Sequence, residues 1–109
     1  MARDYKILGQ EAPLATTLTP IYAVPAATKA IISTVVIANH AATAGTYRLA
    51  AQPAAASITQ AHYLGYDIPV AANDSTTLTL GITLDATDVL SAYCSSGDMS
   101  VNVFGSEIS

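Results

Sequence analysis

Along most of this chain apolar and polar residues alternate with a period of two. That period marks strands which bury one face and leave the other wet. Residues 30–39 give the strongest strand, rich in Ile, Val and Thr, whose branched β-carbons fit a pleated surface. In residues 46–52, Tyr47, Leu49 and Ala51 share one face, and Arg48 and Ala50 the other. With the loop Asn39 to Gly45 between them, these two segments read as an antiparallel hairpin. In residues 75–80, Thr76, Leu78 and Leu80 oppose Ser75, Thr77 and Thr79; in 89–94, Val89, Ser91 and Tyr93 oppose Leu90, Ala92 and Cys94. Met99, Val101 and Val103 then face away from Ser100, Asn102 and Phe104, after a hairpin turn at residues 95–98. Shorter strands are expected at residues 5–9, at 21–24 before Pro25, and at 62–70, broken near Pro69. The Ala-rich stretch 53–60 reads either as a helical turn or as a crossing loop.

Turn signals recur about every ten residues, which points to an all-β sandwich or barrel. The expected fold is a two-sheet antiparallel β-sandwich of about eight strands, jelly-roll or immunoglobulin-like. A chain of 109 residues holds one domain. Residues 1–109 are read as that domain, with 1–19 either a first strand and connection or an N-terminal arm that reaches a neighbour.

Composition changes the picture of the surface. Charged residues make up 11% of the chain and apolar residues 51%, with Ala, Thr and Ser abundant. A face so poor in charge suits burial against another protein, because charge is depleted at interface cores. The net charge is −4, and the only basic residues are Arg3, Lys6, Lys29 and Arg48. A phosphate backbone needs several cationic contacts, so no nucleic-acid partner is expected, and an acidic chain gains nothing at an anionic membrane. No apolar stretch is long enough to span a bilayer. No apolar signal region follows Met1 to Lys6, so synthesis in a cytosol is expected. Cys94 is the single cysteine, which excludes a disulfide within the chain and suits a buried thiol.

The search for chemistry finds little. A zinc site needs three or four convergent ligands, and His40, His62 and Cys94 have no acidic or thiol partner at ligand spacing. Asp85-x-x-Asp88 reads as turn residues that bond nearby backbone N–H groups. No Gly-x-Ser-x-Gly elbow and no Gly-rich phosphate loop is present. Paired carboxylates for sugar hydrolysis lack a Trp platform. No enzymatic activity, cofactor or metal is therefore expected. The tyrosines offer one contact surface: Tyr63 and Tyr66 have opposite parity, so one should point outward, beside His62. These three residues are the candidate interface, against the alternative of ordinary cross-strand packing.

The segment Ile21-Tyr22-Ala23-Val24-Pro25-Ala26-Ala27-Thr28-Lys29-Ala30, followed by Ile31 to Asn39, resembles small virion proteins of tailed bacteriophages. In those, a Tyr-x-Val-Pro-Ala segment precedes a strand ending in Ala-Asn, then a loop and a strand similar to Thr46-Tyr47-Arg48-Leu49. The stretches Leu80 to Val89 and Val103 to Ile108 resemble them too. The resemblance implies a structural role in a virion, with synthesis in the host cytoplasm. A capsid decoration or cement protein is the leading expectation, bound to the major capsid protein or other virion proteins and self-associated, with a trimer expected. A tail, baseplate or fibre component with a receptor- or carbohydrate-binding surface is the alternative.

Overall fold

The structure, a computed structural model, describes residues 3–108, and of residues 3, 4 and 80 the backbone alone. Eight strands form: β1 (Arg3–Glu11), β2 (Thr19–Ala23), β3 (Lys29–Asn39), β4 (Gly45–Gln52), β5 (Tyr63–Val70), β6 (Ser75–Leu84), β7 (Val89–Cys94) and β8 (Met99–Ile108). They make two four-stranded sheets, ordered β1-β8-β3-β6 and β2-β7-β4-β5. Every pairing is antiparallel. The expected β-sandwich is what the chain forms, and its strand order is that of a jelly roll. An immunoglobulin-like order would pair β1 with β2 in one sheet; here they lie in different sheets.

Only the β4–β5 connection joins neighbours within a sheet; the other six cross from one sheet to the other. This corrects two expectations. β3 and β4 are not a hairpin, and residues 95–98 are not a hairpin turn, since β7 and β8 also lie in different sheets. Alternation tells which side of a strand is buried. It does not tell whether the next strand lies beside that strand or across the core from it.

The core sits between the four central strands. Ile32, Val35 and Ile37 of β3 and Met99, Val101 and Val103 of β8 face Tyr47 and Leu49 of β4 and Leu90, Ala92 and Cys94 of β7. The inward set on β8 is the one alternation assigns. On β3 the inward set changes parity at Ser33, where both ladders slip by a residue: Ala30 and Ile32 point in, then Val35 and Ile37. Such a bulge moves every following side chain to the other face. The residues read as strand or arm, as far as they are described, form edge strand β1, paired with β8 from Arg3 to Glu11. Residues 12–18 connect it to β2.

Three polar arrangements pin the crossings. Asn39 is 2% exposed at the end of β3. Its amide donates to the carbonyls of Thr43 (3.0 Å), Val70 (3.2 Å) and Ala71 (3.3 Å), and its carbonyl accepts from the Ala41 N–H (3.0 Å). One buried side chain thus ties the β3–β4 crossing to the β5–β6 turn. Asp85 and Asp88 hold the β6–β7 turn: Asp88 accepts from the N–H groups of Asp85 and Ala54, and Asp85 from that of Ala86, each at 2.8 Å. Both carboxylates thus serve the turn, as the sequence reading expects. The stretch 53–62 contains two short 3-10 turns, Pro53–Ala55 and Gln60–His62. It folds over the outer side of β4 and β7, where Ala50 and Ser91 are fully buried. Ser91 donates to the Gln52 side-chain carbonyl (2.6 Å), and Gln52 donates to the Ala56 carbonyl (2.9 Å).

Candidate interaction surface

The outer face of the second sheet carries a row of aromatic and charged side chains. Register explains it. Arg48 lies opposite Tyr93 on β7. On β5, Ile68 is opposite Tyr47, Gly65 opposite Leu49 and Tyr63 opposite Ala50, so β5 carries an extra residue in each interval. Asp67 occupies the first bulge with φ 51°, the left-handed region that Asp enters more readily than most residues. The second bulge lies between Tyr63 and Tyr66 and reverses their relative parity. Both tyrosines therefore reach the same face, where a regular strand would have separated them.

Their rings meet edge to face, with centroids 5.0 Å apart. The Arg48 guanidinium lies between the rings of Tyr66 and Tyr93, 4.1 Å from each centroid. Asp67 receives it through two hydrogen bonds, 2.7 Å from Nε and 3.4 Å from Nη2. The hydrogen bonds to Asp67 raise the arginine pKa further, so its charge is permanent and locally neutralised. A guanidinium suits this place because its flat faces stack while its fork binds a carboxylate. Tyr66 remains 56% exposed. Beside it an open groove of about 690 Å³ is lined by Ile58, Thr59, Gln60, Tyr63 and Tyr66, none of them charged.

Of the three residues singled out from sequence, Tyr63 and Tyr66 come together here. His62 closes the second 3-10 turn instead: its Nδ1 accepts from the Thr59 N–H at 3.2 Å. Alternation set Arg48 on the face opposite Tyr47 and Leu49, and Tyr93 on the face opposite Leu90, Ala92 and Cys94, but gave no sign that the two share a row with Tyr66. Asp67 carried no signal, because its role depends on the bulge.

The first sheet has an outer patch of its own. Tyr5 (77% exposed) and Ile7 on β1 lie near Phe104 on β8 and Ile31 on β3, around an open groove of about 650 Å³. The groove forms where bulges in β1 and β3 flank Phe104 and Gly105. The whole chain exposes 5626 Å², close to the roughly 5,700 Å² of a compact monomer of this mass. The exposed apolar groups thus reflect placement, not loose packing.

Titratable groups elsewhere serve the fold. Tyr22 is buried at the seam between β1 and β2 and donates to Glu107, which also pairs with Lys6 at 2.7 Å. The Lys6 and Tyr22 hydrogen bonds hold the Glu107 carboxyl below its usual range, while burial and then Glu107 raise the Tyr22 phenol. Cys94 is buried, which pushes its thiol up to about 11. Among the described residues, no three His, Cys, Asp or Glu side chains converge as a metal site, and no helix is long and apolar enough to cross a membrane. In comparisons with protein families, curated proteins and solved structures, no match to this chain is found.

Proposed function

We propose that this chain is a structural protein of a bacteriophage virion, a capsid decoration or cement protein that acts through its surfaces. The observation that carries the proposal is the pair of outer faces. Each sheet presents exposed aromatic or apolar side chains over an open groove: Tyr5, Ile7 and Ile31 on one, Tyr66 on the other. A domain with two such faces can sit on a protein lattice with one and meet a neighbouring copy with the other. Aromatics in rigid settings suit this, since they bring large contact areas at small entropic cost. Binding the assembled shell in preference to free subunits stabilises the shell by mass action, and many sites on a lattice add avidity. The low charge, the jelly-roll order and the resemblance at residues 21–39 support the same reading.

The test is the particle. Quantitative gels of purified virions should show the chain at hundreds of copies, in line with shell stoichiometry. Particles made without it should lose heat or osmotic resistance. A few copies per virion, or loss of the chain together with the tail, would sink the decoration reading. One observation favours a second reading, a tail or fibre component that binds carbohydrate. The groove at Tyr63 and Tyr66 joins aromatic rings to the neutral hydrogen-bonding groups of Thr59 and Gln60. A glycan screen that detects binding lost in Tyr66→Ala would support it.

A further inference from the structure

A sandwich has four sheet edges, and here they are not treated alike. Exposed edges pair with other chains unless charge, proline, bulges or shortness prevent it. β1 carries Arg3, Asp4, Lys6 and Glu11. β2 has five residues, a proline at position 20 and a bulge beside it. β5 carries Asp67, Pro69 and two bulges. β6 is ten residues long and contains neither charge nor proline. Its one irregularity lies between Thr79 and Ile82, which leaves Ser75 to Thr79 in regular register with β3.

The same side of the sandwich is open between the sheets. Leu64 and Ile68 of β5 are 51% and 38% exposed. With Tyr47, Leu49, Gly65 and the half-buried Leu78 of β6 they line a cleft of about 90 Å³. The opposite seam is shut: Gly9 packs so closely on β2 that a β-carbon there would stand 2.3 Å from the Ile21 carbonyl oxygen. The unprotected edge and the apolar cleft therefore coincide.

We propose that β6 pairs antiparallel with β6 of a second copy about a twofold axis at Thr77, joining the two four-stranded sheets into one continuous sheet. Symmetry argues for a second copy. An isologous contact sets the central residue against itself, so a charge there would meet its like. The regular stretch contains only Ser, Thr and Leu. Centred on Thr77, it opposes Thr77 to Thr77, Thr76 to Leu78 and Ser75 to Thr79, all compatible cross-strand pairs. The Asp74 carboxylates of the two copies fall at opposite ends, about 20 Å apart, beyond the screening length at physiological salt. The same rotation brings the two open clefts together and covers Leu64 and Ile68. The product is a dimer, where the sequence reading expected a trimer. The proposal stands on edge geometry and does not depend on the virion reading.

Light scattering over a concentration series tests it with wild type, Thr77→Lys and Thr77→Glu. Thr77 is exposed, and circular dichroism checks that each variant folds. Wild type should show twice the chain mass of 11.2 kDa. Each variant alone should dissociate more than about a hundredfold more readily, because like charges face each other. An equimolar mixture of the two should recover the dimer, because an ammonium now faces a carboxylate. In wild type, hydrogen exchange of the β6 amides should slow as concentration rises, which needs no variant. A monomeric wild type, an assembly indifferent to Thr77→Lys, a mixture no tighter than its components, or β6 exchange independent of concentration would each overturn the proposal.

Discussion

Gly105 and Gly97 offer a matched pair in which one chemical change should have opposite signs. A β-carbon built on Gly105 would lie 2.1 Å from the Ile31 carbonyl oxygen, 3.1 Å from its carbon and 3.0 Å from the Ile32 α-carbon. All three are backbone atoms of β3, held in the β3–β8 ladder beside the Ser33 bulge, so no flexible side chain can yield. Relief needs a backbone shift of about 1 Å, of the kind that costs roughly 1–3 kcal/mol or more in a packed interior. Gly→Ala also lowers the entropy of the unfolded chain, worth about 0.4–1 kcal/mol in the other direction. The net loss for Gly105→Ala is about 2 kcal/mol. At Gly97, in the turn before β8, an added β-carbon meets nothing within 4 Å and φ is not positive. Only the entropic gain applies there. For a chain of 109 residues, the unfolding entropy converts 1 kcal/mol to about 4 °C. Thermal melts followed by far-ultraviolet circular dichroism should therefore place Gly105→Ala about 8 °C below wild type and Gly97→Ala about 2–4 °C above. All three proteins must be compared at one concentration, since association shifts the midpoint. A Gly105→Ala protein that melts at or above wild type would refute the close approach of β8 to β3.

Other outcomes follow from single side chains. Asn39→Asp replaces a donor to three carbonyls with an acceptor in a site 2% exposed; denaturant titration should show a loss of about 3 kcal/mol or more, and an unchanged midpoint would deny the Asn39 tie. Tyr22→Phe removes one of the two hydrogen bonds that hold Glu107 ionised. Because the folded carboxyl titrates below its ordinary value of 4.5, its contribution is complete above that pH and is lost as pH falls through the folded value. Tyr22→Phe should therefore move the Glu107 titration, read by NMR, upward, and bring acid unfolding to higher pH. Arg48→Lys keeps the charge but loses the flat stack and the fork. With six tyrosines and no tryptophan, near-ultraviolet circular dichroism reports the rings directly. It should weaken in Arg48→Lys, and the thermal midpoint should fall. Cys94 should resist thiol reagents at pH 8 until the protein unfolds, because it is buried and its pKa is about 11.

Local alternation marks the strands, though not all their ends, and shows which of their residues face inward wherever a strand is regular. Leu90, Ala92 and Cys94, or Met99, Val101 and Val103, could be assigned to the core because a two-residue period needs only local geometry. The bonds that Asp85 and Asp88 accept within their own turn were legible for the same reason, whereas the one from the distant Ala54 N–H was not. Long-range packing alone chose the partners of each strand. β3 and β4 are consecutive and equally amphipathic, and nothing local says that the chain crosses the core between them instead of turning back beside itself. It also decided the bulges. The extra residue between Tyr63 and Tyr66 is visible only against β4, and it alone places both rings with Arg48 on one face. The open side follows in turn: the absence of charge in β6 could be read from the letters, but that β6 is an edge, beside a cleft at Leu64 and Ile68, depends on the order of strands in the sheets.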